Sequence, residues 1–184
     1  LLPFRQVDDV AVSVANALAE GKVVGWFQGP MESGPRALGG RSILMSAAEP
    51  DNKDIINAKV KFREPFRPFC PSLLAETAED YLFESRLEPY MITSFDVLPD
   101  KRDRIPSVVH VDGTSRPQTV RRETHPLYWR MIHEFGQRTG DPVVLNTSFN
   151  IKGEPIVCTP RDALRCFYGS GISVLAIGPF LLEK

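Results

Sequence analysis

The chain has 184 residues, 42% of them hydrophobic, and its 22 basic residues nearly balance its 23 acidic ones. This composition is typical of a folded domain and gives no overall attraction to nucleic acid or to a membrane surface, so any anion-binding site must be local. No apolar run approaches the roughly 20 residues that span a bilayer, and no signal-peptide pattern is visible. The composition therefore argues against a membrane partner and against nucleic acid.

The three cysteines, Cys70, Cys158 and Cys166, are odd in number and lack a CxxC spacing, which argues against a disulfide framework and a zinc site. They fit a reducing compartment, so we expect a cytoplasmic protein. The length fits one domain with its own hydrophobic core. Residues 1–184 are therefore predicted to form a single domain.

Helical and strand-like patterns alternate along the chain, which predicts an α/β or α+β fold built on one twisted sheet. The first half predicts a helix over 7–20, strands over 22–28 and 42–47, a helix over 50–60, and a strand and a short helix after the proline-rich start of segment 61–74. The second half predicts strands over 90–98 and 107–111 around a charged loop, a helix over 125–140, a strand over 142–150, a helix over 159–171, and a last strand over 173–178. Thr159 is the expected N-cap of the last helix.

The segment GPMESGPRALGGRS, residues 29–42, is called the glycine loop below. Gly29 and Gly34 match the first half of a phosphate-binding P-loop, but Pro35-Arg36 replaces the lysine and hydroxyl residue on which that motif depends. What remains is a turn expected to expose backbone amides beside Arg36 and Arg41, a combination suited to an anion. The alternative is that both arginines pair with acids in a packed loop.

A second basic segment, KFREPFRPF, alternates Lys61, Arg63 and Arg67 with aromatic residues and prolines. In an extended chain, alternate side chains share a side, so these cations could hold a phosphate or a carboxylate. The alternative is a solvated basic edge. The stiff apolar frame favours the anion site, because it holds the cations in place.

A polar run, VLNTSFN, ends the strand predicted over 142–150. Asn146, Ser148 and Asn150 alternate and should face one way. Ligands of open sheets bind beyond the carboxyl ends of strands, where these residues fall. The alternative, that they satisfy backbone groups in a turn, is most credible for Asn146.

The segment HVDGTSRPQTV predicts a turn and offers Arg116 as a further anion contact. The histidines, His110, His125 and His133, are too scattered for a metal site, and we expect core or surface roles for them.

Four segments, ESGPRALGGRSIL, NAKVKFREPFRPFCP, HVDGTSRPQTV and PVVLNTSFNIKGEPIVCTPRDAL, together resemble the C-terminal domain of NodU/CmcH-type O-carbamoyltransferases. The resemblance covers essentially the whole chain, in order. That domain is in turn similar to YrdC domains, which have an open, twisted mixed sheet with flanking helices and a cationic concave face. The K-x-R and S-x-N pattern of YrdC domains corresponds here to Lys61-Phe62-Arg63 and Ser148-Phe149-Asn150.

The resemblance implies a domain that converts ATP and carbamoyl phosphate into carbamoyl-adenylate, with Mg²⁺ accompanying the nucleotide. It implies catalytic roles for Lys61, Arg63, Ser148 and Asn150. The residues expected to bind substrate are Arg36, Arg41, Arg67, Arg116 and Asn146.

The resemblance also implies a separate N-terminal domain of the actin/hexokinase type, which holds iron or another metal and passes the carbamoyl group to a hydroxyl acceptor. The chain begins at LLPFRQVDDV without a methionine, and we expect it to lack that domain. Two other functions stay open: a non-catalytic module that binds nucleotide or RNA, and a docking domain for the N-terminal domain. The balanced charge disfavours RNA.

Overall fold

The computed structural model describes residues 3–184. Its helices are α1 (Val10–Ala19), α2 (Asn52–Ile56), α3 (Pro126–Thr139) and α4 (Pro160–Tyr168). Its strands are β1 (Arg5–Gln6), β2 (Val24–Phe27), β3 (Arg41–Ser46), β4 (Cys70–Leu74), β5 (Phe95–Asp96), β6 (Thr114–Ser115), β7 (Gln118–Val120), β8 (Val143–Ser148), β9 (Val174–Ile177) and β10 (Phe180–Glu183).

Eight strands form one mixed sheet in the order β1-β10-β9-β2-β3-β8-β4-β7, and β5 pairs with β6 separately. β2 runs parallel to β9, and β4 runs parallel to β7. The other neighbours in the sheet are antiparallel. This large mixed sheet with helices against it confirms the predicted α/β (α+β) class.

The sheet buries apolar side chains on both faces. On one face, α1 and α3 pack together through residues such as Leu18 and Phe135. On the other face, the core includes Ile56 of α2, Phe167 of α4 and Phe149 just after β8. Among residues 3–184, no helix has both the length and the apolar character needed to cross a membrane.

Most helix predictions are confirmed with shorter bounds. α1 begins at Val10 because the Asp9 carboxylate accepts hydrogen bonds from the amides of Ala11 and Val12, which is typical of an N-cap residue. Thr159 caps α4 as predicted, and a reciprocal bond from its amide to Asp162 completes a capping box.

Two of the predicted strands are largely wrong. Within 90–98 only Phe95–Asp96 is a strand, because the buried Glu88 carboxylate accepts bonds from the amides of Tyr90 and Thr93 and turns the chain. Residues 107–111 contain no strand, since a 3-10 helix occupies Pro106–Val108. The segment 99–106, predicted as a loop, contains a 3-10 helix over Pro99–Arg104.

Four short strands were not predicted: β1, β6, β7 and β10. β10 follows β9 across a tight turn in which Gly178 adopts a φ of +52°. The strand predicted over 173–178 is therefore not the last one. Gly178-Pro179 is a turn signal that could have revealed this hairpin.

Candidate functional site

A cavity of about 480 Å³, called the anion cavity below, opens where β8 ends. All of the predicted site residues except Arg41 line it: Arg36, Lys61, Arg63, Arg67, Arg116, Asn146, Ser148 and Asn150. Lys152 adds a further cation, and Glu64 is the one acidic residue among the described residues of the lining. The cavity is therefore strongly cationic although the chain as a whole is nearly neutral.

Lys61 reaches the cavity from a helix and not from an extended chain. α2 continues as a π-helix over Asn57–Lys61, which ends at Phe62 with a φ of +48°. A residue other than glycine in this left-handed region is uncommon and is often found at functional sites. The prediction that Lys61, Arg63 and Arg67 alternate along an extended segment is wrong, yet the turn at Phe62 still brings all three to the cavity.

The Lys61 ammonium group is held by the S-x-N segment. Its Nζ donates to the Ser148 carbonyl at 2.5 Å and to the Asn150 Oδ1 at 2.7 Å. It also lies 3.2 Å from the Ser148 Oγ and 3.1 Å from the Asn150 carbonyl. The Ser148 hydroxyl donates to the Asn150 Oδ1 at 2.8 Å, so the three side chains form one network.

Burial lowers the pKa of Lys61 to about 7, and repulsion from Arg63 and Arg67 acts in the same direction. Removing an ammonium group from water disfavours its charged form, and nearby cations disfavour it further. The Lys61 ammonium group therefore gains and loses its proton near neutral pH. An anion that enters the cavity would restore the charged form.

Arg63 is fixed by three contacts with the protein. Its Nε donates to the Asn57 Oδ1 at 2.7 Å, its Nη2 lies 3.4 Å from the Pro68 carbonyl, and its guanidinium lies 4.6 Å from the centre of the Phe69 ring. Burial lowers the pKa of Arg63, and Arg67 lowers it further. Arg63 is therefore a preorganised cation in the cavity wall.

Asn146 and Arg116 line the cavity and carry buried polar atoms with no partner in the described part of the chain. The Asn146 Nδ2 lies within hydrogen-bonding distance of the Ala37 carbonyl, the Ser72 Oγ and the Gln118 Oε1, at 3.1, 2.9 and 3.2 Å. The Asn146 Oδ1 and the Arg116 Nε have no hydrogen bond. Buried polar atoms in native proteins are usually paired, so these two are candidates for completion by a ligand.

Arg41 does not line the anion cavity. Its guanidinium donates to the carbonyls of Gln28, Gly29 and Gly40 at 3.0, 3.1 and 3.0 Å and lies 3.6 Å from the centre of the Phe27 ring. These contacts hold the glycine loop against β2. The placement gives Arg41 a structural role and does not support contact with substrate.

The sequence predicted that the glycine loop exposes its backbone amides, but three of these amides are already hydrogen-bonded within the loop. The Glu32 carboxylate accepts hydrogen bonds from the amides of Leu38, Gly40 and Arg41. These amides already bind an anion, and it is supplied by the loop itself. Arg36, in contrast, lines the anion cavity.

Four further residues line the cavity and were not predicted as site residues from the sequence: Cys70, Met91, Thr147 and Lys152. Lys152 follows the S-x-N segment by two residues, and this spacing is a signal that could have been used. Met91 adopts a φ of +56°, which no sequence pattern indicates.

The three histidines lie outside the cavity lining. The His110 Nδ1 is 3.1 Å from the Thr114 Oγ1, and burial lowers the pKa of His110. His125 precedes α3, and His133 stacks on Trp129. Across residues 3–184, no three His, Cys, Asp or Glu residues cluster closely enough to hold a metal ion.

Residues 15–184 match the family model described as carbamoyltransferase C-terminus. The nodulation protein NolO of Bradyrhizobium diazoefficiens is 46% identical over 187 residues, which cover 100% of this chain and 34% of that protein. The chain spans about a third of the length of such curated relatives.

Two solved structures share the fold at low sequence identity. Full-length HypF in its phosphate- and nucleotide-bound form has a TM-score of 0.61 at 18% identity, covering 100% of this chain and 22% of HypF. Sua5 of P. abyssi complexed with L-threonine has a TM-score of 0.62 at 14% identity, covering 92% of this chain and 47% of Sua5. Together with the sheet, they confirm the predicted YrdC-like fold. The chain belongs to the carbamoyltransferase C-terminus family, as its resemblance to the C-terminal domain of NodU/CmcH-type enzymes predicted.

Proposed function

We propose that this domain binds ATP and carbamoyl phosphate in the anion cavity and forms carbamoyl-adenylate there. The observation that carries the proposal is the network in which Ser148 and Asn150 hold Lys61, with Arg63 fixed beside it. A cavity of about 480 Å³ is within the size range of small-molecule sites. HypF, which shares the fold, has been solved with phosphate and nucleotide bound.

The reaction balances when water takes part. Water cleaves carbamoyl phosphate to phosphate and carbamate, and a carbamate oxygen then attacks the α-phosphorus of ATP. The bond from this phosphorus to the bridging oxygen breaks, and pyrophosphate leaves with the electron pair. The products are carbamoyl-adenylate, pyrophosphate and phosphate.

The cavity residues contribute charge and position. Arg36, Arg63, Arg67 and Lys152 would offset repulsion between the triphosphate and the second anion, because fixed cations stabilise charge that develops during phosphoryl transfer. Lys61 in its charged form would donate hydrogen bonds to phosphate oxygens. Ser148 and Asn150 would orient Lys61 toward them.

Magnesium fits this site as part of the nucleotide complex. Glu64 is the one carboxylate in the described lining, so the protein offers few of the oxygen ligands that Mg²⁺ prefers. Phosphate oxygens would supply most of its coordination, and its charge would stabilise the leaving pyrophosphate. Asn146 and Arg116, with their unpaired buried atoms, would complete the contacts to the bound substrates.

The transfer step would belong to another part of a longer protein. The curated relatives are about three times as long as this chain, which leaves room for an N-terminal domain of the actin/hexokinase type with iron or another metal. That domain would receive carbamoyl-adenylate and carbamoylate a hydroxyl acceptor. The reaction would take place in the cytoplasm, where the free thiols of Cys70, Cys158 and Cys166 would stay reduced.

Release of pyrophosphate tests the proposal. The chain should release pyrophosphate only when ATP, magnesium and carbamoyl phosphate are all present, and it should carbamoylate no alcohol. ATP binding without any release would instead favour a non-catalytic nucleotide module. Absence of ATP binding would favour a docking domain.

A further inference from the structure

The glycine loop lies between two cavities. Its Pro35 to Ala37 segment lines the anion cavity, whereas Glu32, Gly39 and Gly40 line a second cavity of about 410 Å³. Glu32 is not part of the anion cavity. Arg36 faces the proposed phosphate site only while the loop keeps this shape.

The Glu32 carboxylate binds backbone amides of the glycine loop. Its Oε1 accepts from the amides of Leu38 at 2.7 Å and Gly40 at 2.9 Å, and its Oε2 accepts from the amide of Arg41 at 3.0 Å. Hydrogen bonds from backbone amides to a charged acceptor are stronger than those between neutral groups. Glu32 therefore fixes the backbone immediately after Arg36 and Ala37.

Side chains of the sheet bind backbone carbonyls of the same loop. Asn146 donates to the Ala37 carbonyl at 3.1 Å, Gln118 donates to the Leu38 carbonyl at 2.7 Å, and the Trp26 indole donates to the Gly39 carbonyl at 2.7 Å. Asn146 itself lines the anion cavity. The loop is therefore held through its amides by Glu32 and through its carbonyls by the sheet, an arrangement called the clamp below.

Two glycines make this clamp possible. A Cβ at Gly40 would lie 3.1 Å from the Glu32 Cδ, which is tighter than an ordinary contact. A Cβ at Gly39, where φ is +106°, would overlap the Tyr128 ring. Glycine at these positions lets the carboxylate and the ring approach the backbone.

We propose that Glu32 is a positioning residue of the anion site, which holds the glycine loop so that Arg36 faces the anion cavity. The inference rests on the proposed function, because the anion that Arg36 meets is taken to be a phosphate group of ATP. Glutamine cannot replace Glu32 fully. It has one oxygen for three amides, and its NH₂ group would face another donor.

The first test compares ATP binding by the wild-type chain and by Glu32→Gln, using calorimetry with magnesium. The Kd should rise roughly tenfold in the variant, which corresponds to about 1.4 kcal/mol. In the pyrophosphate assay, KM for ATP should rise while kcat stays nearly constant, because Glu32 touches no reacting group. Glu49→Gln is the matched control, since the Glu49 side chain is exposed and should leave binding unchanged.

A double-mutant cycle with Arg36→Ala tests whether Glu32 acts through Arg36. Glu32→Gln should weaken ATP binding in the wild-type background and have little further effect in the Arg36→Ala background. An equal loss in both backgrounds would overturn the proposal. An unchanged Kd in the single variant would overturn it as well.

Amide hydrogen exchange, followed by NMR, tests the clamp without any ligand. The amides of Leu38, Gly40 and Arg41 should exchange slowly in the wild type and faster in Glu32→Gln, whereas Glu49→Gln should not change them. Slow exchange in both the wild type and Glu32→Gln would overturn the proposal. If the exchange result is as expected but the wild type binds no ATP, the proposed function fails while the clamp stands.

Discussion

The Nζ of Lys61 lies 2.7 Å from the Oδ1 of Asn150, although the two residues are 89 positions apart in the chain. Lys61 ends a π-helix, and Asn150 lies just beyond β8. Lys61 of the K-x-R segment therefore forms one partly buried polar network with Ser148 and Asn150 of the S-x-N segment at the anion cavity. Charge and orientation at this site depend on both segments together.

We expect ATP binding to take up a proton at mildly alkaline pH. The pKa of Lys61 is lowered to about 7, so the side chain is mostly neutral at pH 8 in the free protein. Phosphate oxygens would favour the charged ammonium group and draw in about one proton per ATP bound. Calorimetry in buffers of different ionisation enthalpy measures this uptake. The Lys61→Met variant should show no proton uptake on ATP binding. If the uptake persists in this variant, a group other than Lys61 takes up the proton.

Lys61 should also give the folded state a distinctive pH dependence. Its pKa falls from 10.5 to about 7 on folding, so the unfolded chain binds more protons between these pH values. The free energy of unfolding should therefore rise with pH in this window, because the cost of burying the charge disappears as Lys61 loses its proton.

Urea unfolding at pH 7 and pH 9 measures this contribution. Relative to Lys61→Met, the wild type should gain roughly 1–3 kcal/mol between the two pH values. Lys152→Met is the control, since Lys152 is exposed and should follow the wild-type curve. Parallel pH curves for the wild type and Lys61→Met would contradict the lowered pKa.

Arg63→Ala should weaken ATP binding by roughly 1.5–3 kcal/mol, the range for a hydrogen bond to a charged group. The side chain is held by Asn57 and Phe69, so its guanidinium needs little reordering when a phosphate binds. Arg161→Ala removes an exposed arginine at the start of α4 and is the matched control. If calorimetry gives the same ATP affinity for the wild type and Arg63→Ala, Arg63 does not contribute to ATP binding.

Gly25→Ala should destabilise the fold by roughly 1–3 kcal/mol through overpacking. The new Cβ would lie 2.8 Å from the Cζ of Phe149, which is fully buried between Ser148 and Asn150. Chemical unfolding measures the loss, and Phe149→Leu combined with Gly25→Ala should recover part of it. A Gly25→Ala variant as stable as the wild type would show that Phe149 moves aside easily.

The sequence predicted the residues of this site better than the path of the chain. Asn146, Ser148 and Asn150 could be grouped because side chains alternate along a strand, and β8 extends to Ser148. The path at Lys61 could not be predicted in this way. The π-helix and the left-handed Phe62 are maintained by long-range contacts, such as those between Lys61 and the end of β8.

Arg36 and Arg41 were both predicted from the sequence to bind substrate, but the packing of the glycine loop places only Arg36 at the anion cavity. Arg41 lies under the loop, where three carbonyls and the Phe27 ring surround its guanidinium. The role of Glu32 was likewise hidden, because a loop glutamate usually faces solvent.

The strand predicted over 90–98 failed for a related reason, since hydrogen bonds from the amides of Tyr90 and Thr93 to the buried Glu88 carboxylate outweigh β propensity.

Pyrophosphate release tests most directly whether the network of Lys61, Ser148 and Asn150 forms the adenylate. Three proteins are compared: the wild type, Ser148→Ala combined with Asn150→Ala, and the exposed control Ser94→Ala. Thermal unfolding should verify that all three proteins fold. The wild type and Ser94→Ala should release pyrophosphate only when carbamoyl phosphate is present. The double variant, in which Lys61 keeps only backbone partners, should release none. Release at the wild-type rate from a folded double variant would contradict the assignment of adenylate formation to this network.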